Sequence, residues 1–251
     1  MDLSLVAGLA LILVRVGAVV IVAPVFGGTF APAPVKIGLT LAITLVLVPL
    51  VPLPGTLTVA GLVVVALREA MIGVAIGFGV RVVVAAAEMG GYLAGYQLGF
   101  AQAATIDPQS GVRNNTIALI YGNLATLIFF AVNGHHLVLR ALLQSYRRLP
   151  VGFGQVDDGV VPVVMAMLGT VFVTGAQLAA PVVVVMLVLE AGLGLLGRAA
   201  SGVDLFALTP PMRLLVGLAA LGTGIVAVPE VMSGLIRRAL ELAARLALGV
   251  G

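Results

Sequence analysis

The chain alternates between long apolar blocks and short segments that hold its few charged residues. A helix needs about 20 mostly apolar residues to cross about 30 Å of hydrocarbon, and several blocks reach that length. The pattern predicts helices over residues 3–23, 37–50, 58–84, 114–139, 159–189, 214–228 and 234–248. We expect six or seven of them in a membrane environment, with the last one at its surface or outside it. The predicted fold is therefore all-α and integral to a membrane.

Proline and glycine mark the breaks between these blocks. Pro49, Pro52, Pro54 and Gly55 divide one long uncharged stretch into two helices that are joined by a turn. Residues 89–106 are also uncharged, but they are rich in glycine and end at an Asp-Pro pair.

Composition excludes several classes of protein. Apolar residues make up 61% of the chain and charged residues only 9%, whereas soluble domains contain about 25% charged residues. A formal net charge of +3 gives no basic surface able to bind a run of phosphates, so we expect no nucleic acid partner. With no cysteine, the chain has no disulfides, thiolate metal ligands or cysteine nucleophiles.

The amino-terminal block does not look like a cleaved signal peptide. Its first charge is Asp2, whereas a signal peptide carries basic residues before its apolar core. We therefore expect no cleavage. Lys and Arg are nearly balanced between the two sides of the predicted spans, so their distribution does not fix the orientation.

A few charged residues interrupt the apolar blocks and are the first candidates for function. Each costs about 2.5 to 3.5 kcal/mol at the centre of a membrane helix, so each should have a partner. Neighbours on a helix point about 100° apart, which keeps Arg68 and Glu69 from pairing with each other. Two interpretations stay open: buried structural ion pairs, or a relay for protons or substrate. The set is Arg15, Arg68, Glu69, Arg81, Glu88 and Glu190.

Glycines at helical spacing indicate helices in close contact. Gly73 and Gly77 form a G-x-x-x-G motif that Gly79 extends, and small residues at this spacing let two backbones approach each other. A second group is expected in the next helix and consists of Gly90, Gly91, Gly95 and Gly99.

No motif in the chain predicts catalysis or a bound metal. His135 and His136 are adjacent, so their side chains diverge around a helix axis and cannot by themselves form a zinc site. The segment Asn133-Gly134-His135-His136 instead reads as a helix end. We expect neither an enzyme nor a cofactor.

Several short motifs follow one another along nearly the whole chain. In the first half they are Pro24-x-Phe26, Pro34-x-Lys36-Ile37-Gly38-Leu39, Glu69-x-x-x-Gly73-x-x-x-Gly77 and Asp107-Pro108. In the second half they are Asn133-Gly134-His135-His136, Ser145 with Leu149-Pro150, and Pro181, Glu190, Gly194 and Arg198. In this order and spacing the chain resembles the FliR family of bacterial flagellar export-gate proteins, whose injectisome counterparts share the fold. It departs from the family pattern at Asp204, where Asn is usual, but keeps Phe206.

The resemblance implies a subunit of a helically wound export gate in the bacterial inner membrane, within the flagellar basal body. The implied partners are P-type and Q-type gate subunits, other membrane proteins of the export apparatus, and unfolded proteins in transit through the channel. Residues 1–251 would form one export-gate domain, with a P-like part at 1–160. Residues 161–251 would be a Q-like helical hairpin, at about 178–228, with a terminal helix.

The resemblance also implies a plug in the closed channel, near residues 99–108. An apolar loop can hold back ions by dewetting without gripping the substrate. Its apolar candidates are Phe100 and Ile106, while Gln102 and Thr105 stand where bulkier apolar residues are common, and Asp107-Pro108 ends the loop. The candidates for intramembrane charge or subunit contact are Arg68, Glu69, Glu88, Glu190 and Arg198.

Three alternatives remain at this stage. The chain could belong to an injectisome rather than a flagellum. It could be a secondary transporter with Glu69, Glu88 or Glu190 as a proton site. It could also be a structural scaffold without a plug.

Overall fold

The computed structural model describes residues 3–27, 31–52, 58–99, 115–152, 160–199 and 205–248. Nearly all of these residues are helical and none is in a strand, which confirms the all-α prediction. The helices are α1 (Leu3–Val22), α2 (Pro24–Gly27), α3 (Ala33–Leu47), α4 (Val59–Gln97), α5 (Thr116–Ala131), α6 (Gly134–Arg148), α7 (Val160–Ala199), α8 (Leu205–Gly224) and α9 (Val228–Leu248). Short 3-10 turns follow α3 at Val48–Leu50 and α8 at Ile225–Ala227.

Five helical segments in the described part of the chain are long and apolar enough to cross a membrane. They are Leu5–Val22, Ala33–Leu50, Ala60–Gln97, Pro162–Ala199 and Ala207–Ala243. Helices α5 and α6 would add a sixth as one broken span, with a bend of 69° between them. With this broken span the count is six, the lower of the two predicted numbers, because the predicted helices over 214–228 and 234–248 lie largely in the one segment Ala207–Ala243.

Some helices begin and end elsewhere than the charges suggested. Helix α4 runs through Glu88 and the glycines after it for 39 residues, since each glycine costs a helix only about 1 kcal/mol and here makes room for a neighbour. The predicted helix over 114–139 is instead divided at Asn133, whose left-handed φ of 57° ends the regular geometry. Helix α7 continues past Glu190 to Ala199 because that carboxylate has a partner.

Contacts within the chain divide it into two compact units. Unit 1 contains Met1–Val83, Phe129–Gly169 and Ile236–Gly251, and unit 2 contains Val84–Ile128 and Thr170–Leu235. Helices α4, α5, α7 and α9 therefore contribute residues to both.

In unit 1, α1 packs against α3 and the first half of α4. The side of α1 that carries Leu11, Ile12 and Val19 is buried. Gly73 and Gly77 of α4 face α1: a Cβ on Gly77 would lie 2.8 Å from Val22 Cβ. Backbones in such close contact confirm the packing that the G-x-x-x-G motif predicts.

In unit 2, the second half of α4 packs against α5 and α7. A Cβ on Gly90 would lie 2.8 Å from Leu178 Cβ, and one on Gly91 would lie 2.7 Å from Ala118 Cα. Asn115 ties the start of α5 to α4, because its Nδ2 donates to the Tyr92 carbonyl oxygen at 3.0 Å and its Oδ1 accepts from the Ile117 N–H at 3.0 Å. Gly90, Gly91 and Gly95 of the second glycine group thus lie on α4 itself, not on a following helix, and Gly99 lies two residues beyond its end.

Burial differs widely between the membrane-length segments. In the most apolar part of α4, 61% of the residues are buried, whereas the figure is 22% for α7 and 17% for α3. At 1.5 Å per residue, the 40 residues of α7 extend about 60 Å, twice the hydrocarbon thickness of a bilayer. Helix α7 therefore presents more apolar surface than a single bilayer crossing would cover.

Candidate functional site

A buried ion pair joins α1 to α4 inside unit 1. Arg15 is fully buried and Glu69 nearly so. The guanidinium donates from Nε to Glu69 Oε2 and from Nη2 to Glu69 Oε1 at 2.9 Å, which is a bidentate pair. Of the two interpretations that the sequence left open for Glu69, the structure shows the ion pair.

The remaining donors of Arg15 reach the end of α6. Nη1 donates to Ser145 Oγ at 3.0 Å, and Nη2 also donates to the Leu149 carbonyl oxygen at 3.1 Å. The guanidinium carbon lies 4.0 Å from the centroid of the Tyr146 ring, a cation–π contact. We call Arg15, Glu69, Ser145, Tyr146 and Leu149 the Arg15 cluster. It connects three helices that are far apart in sequence.

The Arg15 cluster satisfies what a buried charge requires. A charge away from water is tolerated when it is paired and its remaining donors are hydrogen-bonded. Tyr146 completes the arrangement, since its hydroxyl donates to the Ile12 carbonyl oxygen at 3.3 Å. All three guanidinium nitrogens of Arg15 have partners within the protein, so the cluster links α1, α4 and α6 structurally.

Sequence reasoning identified Arg15 and Glu69 but not their pairing. Arg15 and Glu69 are 54 residues apart, and Ser145 is 130 residues from Arg15. The sequence showed only that Arg15 and Glu69, which carry opposite charges, each lie in an apolar helix. Tyr146 gave no signal beyond its place beside Ser145.

A second ion pair lies on the α7–α8 hairpin of unit 2. Arg213 Nη2 donates to Glu190 Oε1 at 2.7 Å, and the two side chains are 29% and 39% exposed. Large apolar side chains nearby are strongly exposed, among them Val188 and Leu215. Lipid chains offer no hydrogen bonds to the exposed polar atoms of such an ion pair, whereas another protein can. A half-exposed ion pair on an apolar surface is therefore typical of a surface that another protein covers.

The other predicted charges are scattered over the fold. Arg68 is half-buried in unit 1, and no salt bridge involves it among the described residues. Glu88 is half-buried and lies beside Gly122, where a Cβ would come within 3.1 Å of Glu88 Cγ. Arg198 is exposed in the last turn of α7. Glu88 and Arg198 belong to unit 2, whereas Arg68 belongs to unit 1.

The predicted plug falls almost wholly outside the described residues. Gly99 is the last residue described before it and has a left-handed φ of 88°. Phe100, Gln102, Thr105, Ile106, Asp107 and Pro108 all lie in the part that the structure does not describe. The plug therefore stays a prediction.

The two histidines follow the bend after α5. Their rings lie 4.2 Å apart between centroids, and the ring of Phe130 is 5.5 Å from that of His135. Within the described ranges, no group of three or more His, Asp or Glu side chains could hold a metal ion.

Comparison with known proteins identifies the family of this chain. The family model for bacterial export proteins, family 1, matches residues 6–239. The flagellar biosynthetic protein FliR of Pectobacterium carotovorum subsp. carotovorum is 31% identical over 233 residues, covering 92% of this chain and 89% of that protein. The protein of the same name in Escherichia coli (strain K12) is 30% identical and covers 82% and 79%.

A relative with a different name matches a shorter part of the chain. The Yop proteins translocation protein T of Yersinia pestis is 28% identical over 148 residues, which is 58% of this chain and 57% of that protein. The family match and the FliR relatives, in contrast, extend over most of the chain. The chain therefore belongs to family 1 of the bacterial export proteins.

Proposed function

We propose that this chain is a subunit of the bacterial flagellar type III protein export gate. It would lie in the inner membrane within the flagellar basal body and form part of the channel for unfolded proteins. The observation that carries the proposal is the similarity to FliR of Pectobacterium carotovorum, which covers 89% of that protein at 31% identity.

The geometry supports a role within an assembly. Helix α7 is about twice as long as a bilayer crossing needs, and most of its surface is exposed and apolar. The Glu190–Arg213 pair interrupts that surface with polar groups that protein can cover better than lipid. P-type and Q-type gate subunits are the partners we propose for it. Residues 178–228 would serve as a Q-like hairpin and residues 1–160 as a P-like part.

The role we propose is mechanical rather than catalytic. A proton-coupled transporter needs an acidic group that can gain and lose a proton. Glu69 is nearly fully buried and both of its carboxylate oxygens accept hydrogen bonds from Arg15, so its contacts are those of a structural link between α1 and α4. This weakens the transporter alternative for the most deeply buried acid.

Deleting the gene tests the proposed function directly. We expect filament and hook proteins to disappear from the culture medium while they are still made in the cell, with swimming lost. The wild-type gene in trans should restore both. Normal swimming with loss of another secreted set would instead assign the chain to an injectisome. A purified chain that alone accumulates a small solute in vesicles would establish the transporter.

A double substitution tests the proposed plug. In the reconstituted gate, F100G/I106G should raise ion leakage, because removing two large apolar side chains lets the constriction wet. Conductance of the gate in planar bilayers measures the effect. The matched variant F100L/I106V keeps the constriction apolar and should leave leakage low. Unchanged leakage in F100G/I106G would favour a scaffold without a plug.

A further inference from the structure

Helix α6 differs in charge from every other helix described. Its 15 residues include no Asp or Glu. They include five basic side chains, which are His135, His136, Arg140, Arg147 and Arg148. It follows directly on the apolar helix α5. A short basic helix that adjoins a 16-residue apolar helix is a candidate for contact with the membrane surface.

The two faces of α6 have separate roles. Val138, Leu142 and Tyr146 lie on one face and are buried in unit 1. The residues of the opposite face are exposed and recur about every three to four positions. They are His136, Arg140, Gln144, Arg147 and Arg148. We call this face the basic stripe. Since the protein already uses the apolar face, only the basic stripe is available to a partner.

The arginines of the basic stripe are not neutralised within the described chain. No salt bridge involves Arg140, Arg147 or Arg148 among the described residues. The nearest acids that follow in sequence, Asp157 and Asp158, lie outside the described ranges. Three cations therefore point outward together, which attracts a surface of the opposite sign.

The charges of the basic stripe restrict where α6 can lie in a membrane. Arginines in the hydrocarbon layer are strongly disfavoured, whereas those near anionic headgroups are attracted. The three exposed arginines of α6 therefore favour a position in the headgroup layer.

Helix α9 shows that the basic stripe is not a general property of the outer surface. Its exposed arginines, Arg237, Arg238 and Arg245, share their helix with the exposed acids Glu230 and Glu241. Acids beside arginines reduce attraction to an anionic surface. Helix α9 therefore supplies a control with the same number of arginines.

We propose that the basic stripe of α6 binds the headgroups of anionic phospholipids at the membrane surface. The apolar face of α6 stays packed on the protein, so the helix acts as an electrostatic contact and not as an inserted anchor. The proposal requires a membrane protein but does not require that the chain be an export gate, so either can fail without the other.

The absence of native cysteine allows a local test. Q144C, labelled with a fluorophore on the basic stripe, is incorporated with its co-produced partner subunits into nanodiscs of phosphatidylcholine. Quenching is titrated with headgroup-spin-labelled phosphatidylglycerol or phosphatidylcholine. We expect the anionic quencher to act at a lower mole fraction than the zwitterionic one. Raising the salt concentration should weaken this preference, since exposed charges are screened.

Two arginine variants decide the origin of the preference. In the Q144C background, the variant R140Q/R147Q/R148Q should lower the preference for the anionic quencher by on the order of tenfold or more, because each arginine near an anionic surface contributes severalfold. The variant R237Q/R238Q/R245Q loses the same net charge from α9 and should retain the preference for the anionic quencher. If the first variant does not assemble, the salt dependence with all native arginines decides instead.

Three results would overturn the proposal. One is equal quenching by both lipids with the native arginines in place. Another is an equal loss of preference in the two arginine variants, which would reflect overall charge. The third is a label that neither lipid quencher reaches, which would show that protein, such as an acidic segment of a partner, covers α6.

Discussion

Replacing Glu69 with alanine is expected to lower the free energy of unfolding by about 3 to 5 kcal/mol, the usual effect of leaving one member of a buried ion pair without its partner. Without Glu69, the fully buried Arg15 guanidinium would have only Ser145, Leu149 and the Tyr146 ring as partners. The thermal midpoint of the purified protein in detergent measures the change. The steady-state level in the membrane should fall with it.

Two control variants separate the ion pair from general damage. E190A removes a half-exposed acid from the other ion pair and should cost about 1 kcal/mol or less, as partly solvated pairs do. R15L/E69L removes both charges and should recover much of the stability lost in E69A, because no charge is left unpaired. An E69A protein as stable as E190A would show that the Arg15 cluster does not hold α1 on α4.

Replacing Gly73 with alanine is the second change for which we expect a large effect. A Cβ at this position would lie 2.7 Å from Ala18 Cβ and closer still to the Arg15 carbonyl oxygen. Neither atom can move without shifting α1, so we expect a loss of about 1 to 3 kcal/mol, the usual range for overpacking. The thermal midpoint again measures it.

Gly38 and Gly192 offer matched controls for this substitution. A Cβ at either position meets no atom within 4 Å. G38A and G192A should therefore be neutral or slightly stabilising, since alanine is the better helix former. A G73A protein that behaves like G38A would contradict the close contact between α1 and α4. The losses of unfolding free energy in E69A and G73A should not add up in the double variant, because both substitutions act on the contact between α1 and α4.

Much of the fold could be predicted from the sequence because a membrane imposes strong rules. Backbone groups in lipid must bond within their own segment, so long apolar blocks such as 159–189 had to be helical. The position of Arg15 and Glu69 in such blocks required a partner for each charge. Glycines at every fourth position, as at Gly73 and Gly77, indicated close contact before its partner helix was known.

The identity of the partners could not be predicted, because it depends on tertiary structure. Periodicity describes one helix at a time, so it cannot pair Arg15 with Glu69 or bring Ser145 beside them. Helix ends were misjudged where tertiary contacts outweighed local signals. Glu88 and the glycines after it looked like a break between helices, yet α5 and α7 pack against these glycines and α4 continues. At Asn133 the local signal was correct, since Asn133-Gly134-His135-His136 was interpreted as a helix end and α5 ends at Ala131.

The span of sequence that the Arg15 cluster bridges has a consequence for biogenesis. Glu69 is 54 residues from Arg15, and Ser145 is 130 residues from it. At about 5 to 20 residues per second, a ribosome makes Glu69 roughly 3 to 11 seconds after Arg15, and Ser145 roughly 7 to 26 seconds after it. During that interval α1 carries an unneutralised arginine, so it must wait in the insertion machinery or at the lipid surface. Final docking of the nascent amino-terminal helix is thereby delayed until more than half of the polypeptide has been translated.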